Sequence, residues 1–118
     1  MTTQEVAEKY YKMAQEGNWA GIQSDLYAED VVSIEKNREG EWWTAKGKEA
    51  LIQKGKEWNE GIEEFHSGYT NEPIVAGTHF SCAMGMDITM KGAGRMKMDE
   101  VCVFEVKDGK IVKEQFFY

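Results

Sequence analysis

The last third of the chain, from Thr78 to Tyr118, limits the possible fold most, because three strand-like runs follow one another there with turn signals between them. In Thr78 to Lys91, the residues Phe80, Cys82, Met84, Met86 and Ile88 share one parity, the alternation of a strand with one covered face. Gly92-Ala93-Gly94 then offers the positive φ angles that a hairpin loop needs. Arg95 to Val106 makes the second strand, and its run Val101-Cys102-Val103-Phe104 is apolar on both parities, as where both faces are covered. Lys107-Asp108-Gly109 closes it with an Asp-Gly turn signal, and Ile111 to Tyr118 is the last strand. A long antiparallel meander twists and curls, so one face becomes a concave wall that something must fill.

The first half of the chain supplies that filling. Thr2 with Glu5 three residues on reads as a capping box, followed by Val6, Tyr10 and Met13 on one helix face, and Gly17 ends this first helix. Asn18 caps a second helix with the stripe Trp19, Ile22 and Leu26. Val31 to Lys36 is a β-rich run, Asn37 to Gly40 turns the chain, and Trp42-Trp43 follows on a short strand or loop. Gly47-Lys48 precedes a third helix with Leu51, Trp58 and Ile62 on one side. Phe65 to Val75 reads as a further strand, broken by the only proline, Pro73, which belongs on an edge or at a bulge. The layout is a single α+β domain over residues 1–118, with three N-terminal helices packed on one face of a strongly curved, mixed or antiparallel sheet.

Composition excludes several kinds of function. With 118 residues there is room for one core, and 14 basic against 21 acidic residues give a net charge of −7 with no basic cluster. That argues against nucleic acid and anionic membranes as partners. No apolar run approaches the roughly 20 residues of a membrane span, and the polar start is not a signal peptide, so the expected home is the cytoplasm. Cys82 and Cys102 lie inside apolar strand runs, where free thiols behave as small hydrophobes. His66 and His79 have no closely spaced carboxylate or thiol partner, so no metal site is expected. No phosphate-binding loop and no nucleophile elbow is present, and no cofactor is expected.

Three stretches carry a family resemblance: Gly17-Asn18-Trp19 through Leu26-Tyr27-Ala28-Glu29-Asp30-Val31-Val32, then Gly47-Lys48-Glu49-Ala50-Leu51, then Asp108-Gly109-Lys110-Ile111-Val112. Together they resemble the nuclear-transport-factor-2-like superfamily, and within it the SnoaL-like proteins, the group that includes polyketide cyclases and is related to ketosteroid isomerase. The resemblance covers essentially the whole chain. It implies a cone, a bent sheet around the helices that opens at one end into an apolar pocket, and a homodimer formed through the outer sheet face. It does not by itself imply an activity, because the superfamily hosts isomerases, cyclases, dehydratases and proteins without catalysis.

Carried over by position, the resemblance puts the isomerase's general base at Glu35 and its oxyanion tyrosine at Tyr10. A carboxylate on a strand lining an apolar pocket has its anion disfavoured by desolvation, which suits proton abstraction. Glu35 reads equally as a solvated glutamate beside Lys36 and Arg38, and Tyr10 as a core aromatic on the stripe of the first helix. The isomerase's second oxyanion donor is matched in position by Cys102, a departure from the pattern. If Cys102 and Phe104 face inward, Met98 and Glu100 share their face, as Glu114, Phe116 and Tyr118 do on the last strand. Glu100 and Glu114 are then either neighbouring carboxylates that divide into a donor and a base, or surface groups balanced by Lys97 and Lys113. His66 is the alternative acid or base near neutral pH, or a hydrogen-bonded structural residue. Trp42, Trp43 and Trp58, with Met84, either line a pocket for a flat apolar ligand or fill the cone.

The expectation is a pocket protein that binds a small hydrophobic carbonyl compound and acts by cofactor-free acid–base chemistry of the isomerase or cyclase type. Glu35 is the expected base and Tyr10 or His66 the donor. Glu100, Cys102, Phe104, Phe116, Tyr118 and the tryptophans form the expected wall. The alternatives are a non-catalytic ligand-binding or dimerisation module, and an accessory domain acting through its outer sheet face.

Overall fold

The computed structural model describes residues 1–118. Three helices, α1 (Thr3–Gln15), α2 (Trp19–Leu26) and α3 (Lys48–Gly61), accompany seven strands: β1 (Tyr27–Lys36), β2 (Trp42–Lys46), β3 (Ile62–Thr70), β4 (Ile74–Ala76), β5 (His79–Met90), β6 (Gly94–Lys107) and β7 (Lys110–Phe117). The strands form one curved, open mixed sheet in the order β2-β1-β7-β6-β5-β3, with β4 also paired to β5. All pairings are antiparallel except β1 with β7, which brings the first strand beside the last. No helix is long and apolar enough to cross a membrane.

Local chemistry accounts for the element ends. The Thr2 hydroxyl accepts from the Glu5 amide at 3.1 Å while the Thr2 amide donates to the Glu5 carboxylate at 2.9 Å, closing the capping box of α1. Asn18 caps α2 by accepting from the Gly21 amide at 3.0 Å. Lys107 pairs with Lys110 around Asp108 and Gly109, both at positive φ (52° and 75°), the backbone a two-residue hairpin demands.

Period-two alternation then sorts the sheet's faces. Phe80, Cys82, Met84, Met86 and Ile88 of β5 stand opposite Phe104, Cys102, Glu100, Met98 and Met96 of β6, on the face that the helices cover. Val6, Ala7, Tyr10 and Met13 of α1 and Ile22 and Leu26 of α2 close over that face and form one core with Phe80, Phe104, Val31 and Ile111. Phe80 and Phe104 stack with centroids 4.7 Å apart, and Tyr10 lies 4.8 Å from Phe104 and 5.6 Å from Phe80. Both cysteines are free and buried.

Three expectations about element bounds need correction. The first strand begins at Tyr27, not Val31, because the residue ending α2 is already extended (φ −87°, ψ 138°). Ile62 ends α3 and opens β3, so it leaves the helix stripe. The run Phe65 to Val75 is two strands, interrupted at residues 71–73, where Pro73 has no amide to give to a ladder.

Candidate functional site

The helix-covered face carries a cluster of ionisable side chains beyond the aromatic core. Alternation along β1 puts Val31, Ser33 and Glu35 on that face, and the parallel pairing with β7 sets Ser33 opposite Glu114. Glu114 is buried (5% exposed) and accepts hydrogen bonds from the Tyr27 hydroxyl and, at 3.3 Å, from the Ser33 hydroxyl. From above, α3 lowers Lys54 into the site. Its ammonium donates to Ser33 Oγ at 3.2 Å, pairs with the Glu35 carboxylate at 3.0 Å, and lies 5.4 Å from the centre of the Trp43 ring. Trp43 pairs with Glu35 across β1 and β2 and so shares its face. Glu100 projects from β6 next to these groups.

Three carboxyls thus face one ammonium. Burial, and after it the charges of Glu35 and Glu114, push the Glu100 carboxyl up to about 7, against which Cys102 hydrogen-bonds it. Burial also pushes Glu114 up to about 7, although Tyr27, Lys54 and Ser33 all favour its anion. The two titrate as interacting sites, and near neutrality they share protons between them. Burial keeps the Tyr10 and Tyr27 phenols protonated far above the usual tyrosine range. Tyr10 is enclosed by Trp19, Phe80 and Phe104 and lies near Glu114, Glu100 and both cysteines. The group can therefore hold a carboxylate, a protonated carboxylic acid and an ammonium side by side at neutral pH, the protonation states that acid–base chemistry requires.

The structure brings some of the expected site residues together and removes others. Glu35, Glu100 and Trp43 converge with Lys54. Met84 stands opposite Glu100 on β5, and Tyr118 reaches over the end of β1, its hydroxyl donating to the Lys36 carbonyl at 2.7 Å. Trp58 lies one turn beyond Lys54 on α3 and is partly exposed, and Phe116 is half-buried against the core.

Three expectations are corrected. Cys102 and Phe104 are wholly enclosed in the core, because α1 closes over their strand, so neither lines accessible space. Burial and the Glu100 charge push the Cys102 thiol far up, which leaves it an uncharged and weak donor. Trp42 pairs with Lys36, one residue past Glu35, and packs edge-on against Phe117 on the opposite face of the sheet. His66 is the extra residue where the β3–β5 register shifts. Its Nε2 meets Thr89 Oγ1 at 2.7 Å, and it lies by the bidentate Asp87–Arg95 ion pair (3.0 and 2.9 Å), away from the carboxyl cluster. Glu35, for its part, meets Lys54 on the inner face, beside the raised carboxyls of Glu100 and Glu114.

Sequence reasoning missed Lys54, Ser33 and Tyr27. The signal for Lys54 was present: it falls between Leu51 and Trp58 at spacings of three and four, a lysine on the apolar stripe of α3. Ser33 shares period two with Glu35, but its partner Glu114 is 81 residues away, and only the β1–β7 pairing joins them.

Comparison with known proteins places the chain in a family. The SnoaL-like domain profile matches residues 1–118. A candidate SnoaL-like polyketide cyclase of Mesorhizobium loti is 39% identical, with a TM-score of 0.91 and 100% of each chain covered. A Xanthomonas campestris protein of unknown function with a cystatin-like fold is 20% identical, with a TM-score of 0.79, covering 99% of this chain and 90% of that one. A Catenulispora acidiphila protein with a ketosteroid isomerase-like fold, solved in complex with trimethylamine, is 19% identical, with a TM-score of 0.73 and coverages of 99% and 87%. At those two lower identities the likeness is one of fold. No curated protein matches the chain. Matched along its whole length by the family profile, the chain belongs to the SnoaL-like family.

Proposed function

We propose that this protein is a cofactor-free acid–base catalyst of the isomerase or cyclase type, acting on a small hydrophobic carbonyl compound bound over the inner face of the sheet. The observation that carries the reading is the cluster of Glu35, Glu100 and Glu114 around the single ammonium of Lys54, at the edge of an aromatic core. Glu35 is the base: it is partly accessible (23% side-chain exposure) and held in place by Lys54. Glu100 is the proton donor, since it retains its proton up to about pH 7. Glu114 lies behind them and sets the local charge. On this reading Trp43, beside Lys54, together with Trp58, Met84 and Tyr118 supplies an adaptable, largely apolar wall for the substrate. A candidate polyketide cyclase 39% identical over the whole chain fits the same chemistry.

The free face of the sheet carries exposed Trp42, Val101 and Phe117, and a second copy of the chain covering it in the cytoplasm accounts for their exposure.

The test is proton exchange. Planar aromatic ketones with enolisable α-protons are incubated with the protein in D2O, and α-deuteration is followed by mass spectrometry. Wild type is expected to accelerate exchange and E35Q, with an unchanged circular dichroism spectrum, to lose the acceleration. Equal exchange by wild type and E35Q removes Glu35 from the mechanism.

A further inference from the structure

The resemblance points to Tyr10 as the group that receives negative charge on the substrate oxygen, but Tyr10 is 3% exposed and packed among Trp19, Phe80 and Phe104. The cation beside the base is Lys54. We propose that Lys54 is the electrophile of this site: its ammonium holds the oxygen of the enolate that forms when Glu35 removes the neighbouring α-proton. The inference rests on the acid–base reading above and assigns a catalytic residue within it.

Geometry supports the assignment first. The α-proton and the carbonyl oxygen of a ketone sit on adjacent carbons, so a base and a cation in direct contact can address both at once. Lys54 Nζ and Glu35 Oε1 are 3.0 Å apart, and both side chains are partly accessible, at 29% and 23%. The ammonium is also oriented: Ser33 Oγ accepts from it at 3.2 Å, and the Trp43 ring lies 5.4 Å away. A lysine fixed on three sides loses little freedom when it engages a substrate oxygen.

Charge movement supports it second. Before reaction, the Lys54 charge is balanced by the Glu35 carboxylate. In the step, the Cα–H bond breaks, the proton goes to Glu35, and the electron pair moves through the new carbon–carbon double bond onto the carbonyl oxygen. Glu35 becomes neutral as the oxygen becomes anionic, and Lys54 exchanges one anionic partner for another without leaving its position. Its interaction with the substrate is therefore weak in the ground state and strong in the transition state, the difference that accelerates a reaction. Glu100 and Glu114, the other acids facing this space, offer no positive charge for that purpose.

The test uses a planar phenol, 2-naphthol, whose phenolate mimics an enolate and whose absorbance reports its ionisation when bound. Wild type, E35Q, K54M, K54R and E35Q/K54M are compared, with circular dichroism to confirm each fold. E35Q leaves Lys54 without its carboxylate, as in the enolate complex, and is expected to favour bound phenolate over phenol about tenfold more than wild type, one pKa unit in the bound phenol. K54R keeps most of that preference in the wild-type background, and K54M and E35Q/K54M lose it. Phenolate binding that is unchanged in E35Q/K54M relative to E35Q overturns the role of Lys54 and leaves the acid–base reading standing. Failure of every variant, wild type included, to bind the phenol overturns the pocket itself and the proposal with it.

Discussion

Replacing Glu114 with glutamine should make the protein more stable at alkaline pH while leaving it nearly unchanged at pH 5. Glu114 is buried beneath Tyr27 and Ser33, and burial raises its carboxyl from the ordinary value of 4.5 to about 7. A carboxyl whose folded pKa lies above its unfolded one binds protons more tightly when folded. Its contribution to stability is full below the unfolded value and is lost as pH rises through the folded one. A shift of 2.5 units from those two values corresponds to about 3 kcal/mol between pH 4.5 and pH 8. Glutamine has the shape of the protonated acid, can accept from Tyr27 and donate to Ser33, and never ionises. At pH 5 the variant should therefore lie within about 1 kcal/mol of wild type. At pH 8 it should be more stable by about 2–3 kcal/mol, or roughly 10 °C in Tm for a chain of this size. Removing the Glu114 charge also lowers the Glu100 carboxyl, since that charge is one of the causes raising it, so the variant's remaining pH dependence should be shallower still. The assay is urea unfolding of both proteins at pH 5, 6, 7 and 8, with the difference between them taken at each pH so that surface carboxylates cancel. A difference that does not change with pH would refute the reasoning, because it would mean that Glu114 titrates alike in the folded and unfolded chains.

Two further outcomes follow from the same structure. Phe104→Ala removes a fully enclosed ring that contacts Phe80 and Tyr10, and should cost about 3–5 kcal/mol in urea unfolding; a loss below 1 kcal/mol would mean that the core refills around the gap. Trp42→Asp combined with Phe117→Asp places charge on the free face of the sheet and should convert the proposed dimer to a monomer in sedimentation velocity without altering the inner carboxyls; a wild type that already sediments as a monomer, or a dimer that the two substitutions leave intact, would remove this face as the interface.

Local chemistry made much of the fold legible. The Thr2–Glu5 capping box, the Asp108–Gly109 hairpin and the even-numbered apolar residues of β5 each depend on neighbours in the chain, and each has the form its residues dictate. The parity of β6 and β7 likewise places Glu100 and Glu114 on the inner face beside each other's charge. What escaped depends on distant pairings or on single-residue shifts. Trp42 and Trp43 are adjacent, so strand alternation sends one to each face, and only the register with Lys36 and Glu35 tells which. His66 was displaced by the irregularity in β3, which has no glycine or proline at that position to announce it. Lys54 reaches Glu35 and Ser33 only because α3 crosses above β1, an arrangement that periodicity within the helix does not contain.

The most direct measurement of the account is a tryptophan-fluorescence titration with planar aromatic ketones and phenols from pH 5 to 9, on wild type, E35Q and E100Q. Trp43 stands against Lys54 and Trp58 one turn beyond it, so a ligand seated over the carboxyl cluster should change their emission. Binding in wild type should follow an ionisation near pH 7, and E100Q should remove most of that dependence, because Glu100 is the more accessible of the two raised carboxyls. Absence of binding for every ligand at every pH would contradict the account, since the cone would then be filled by its own side chains and the carboxyl cluster would face nothing.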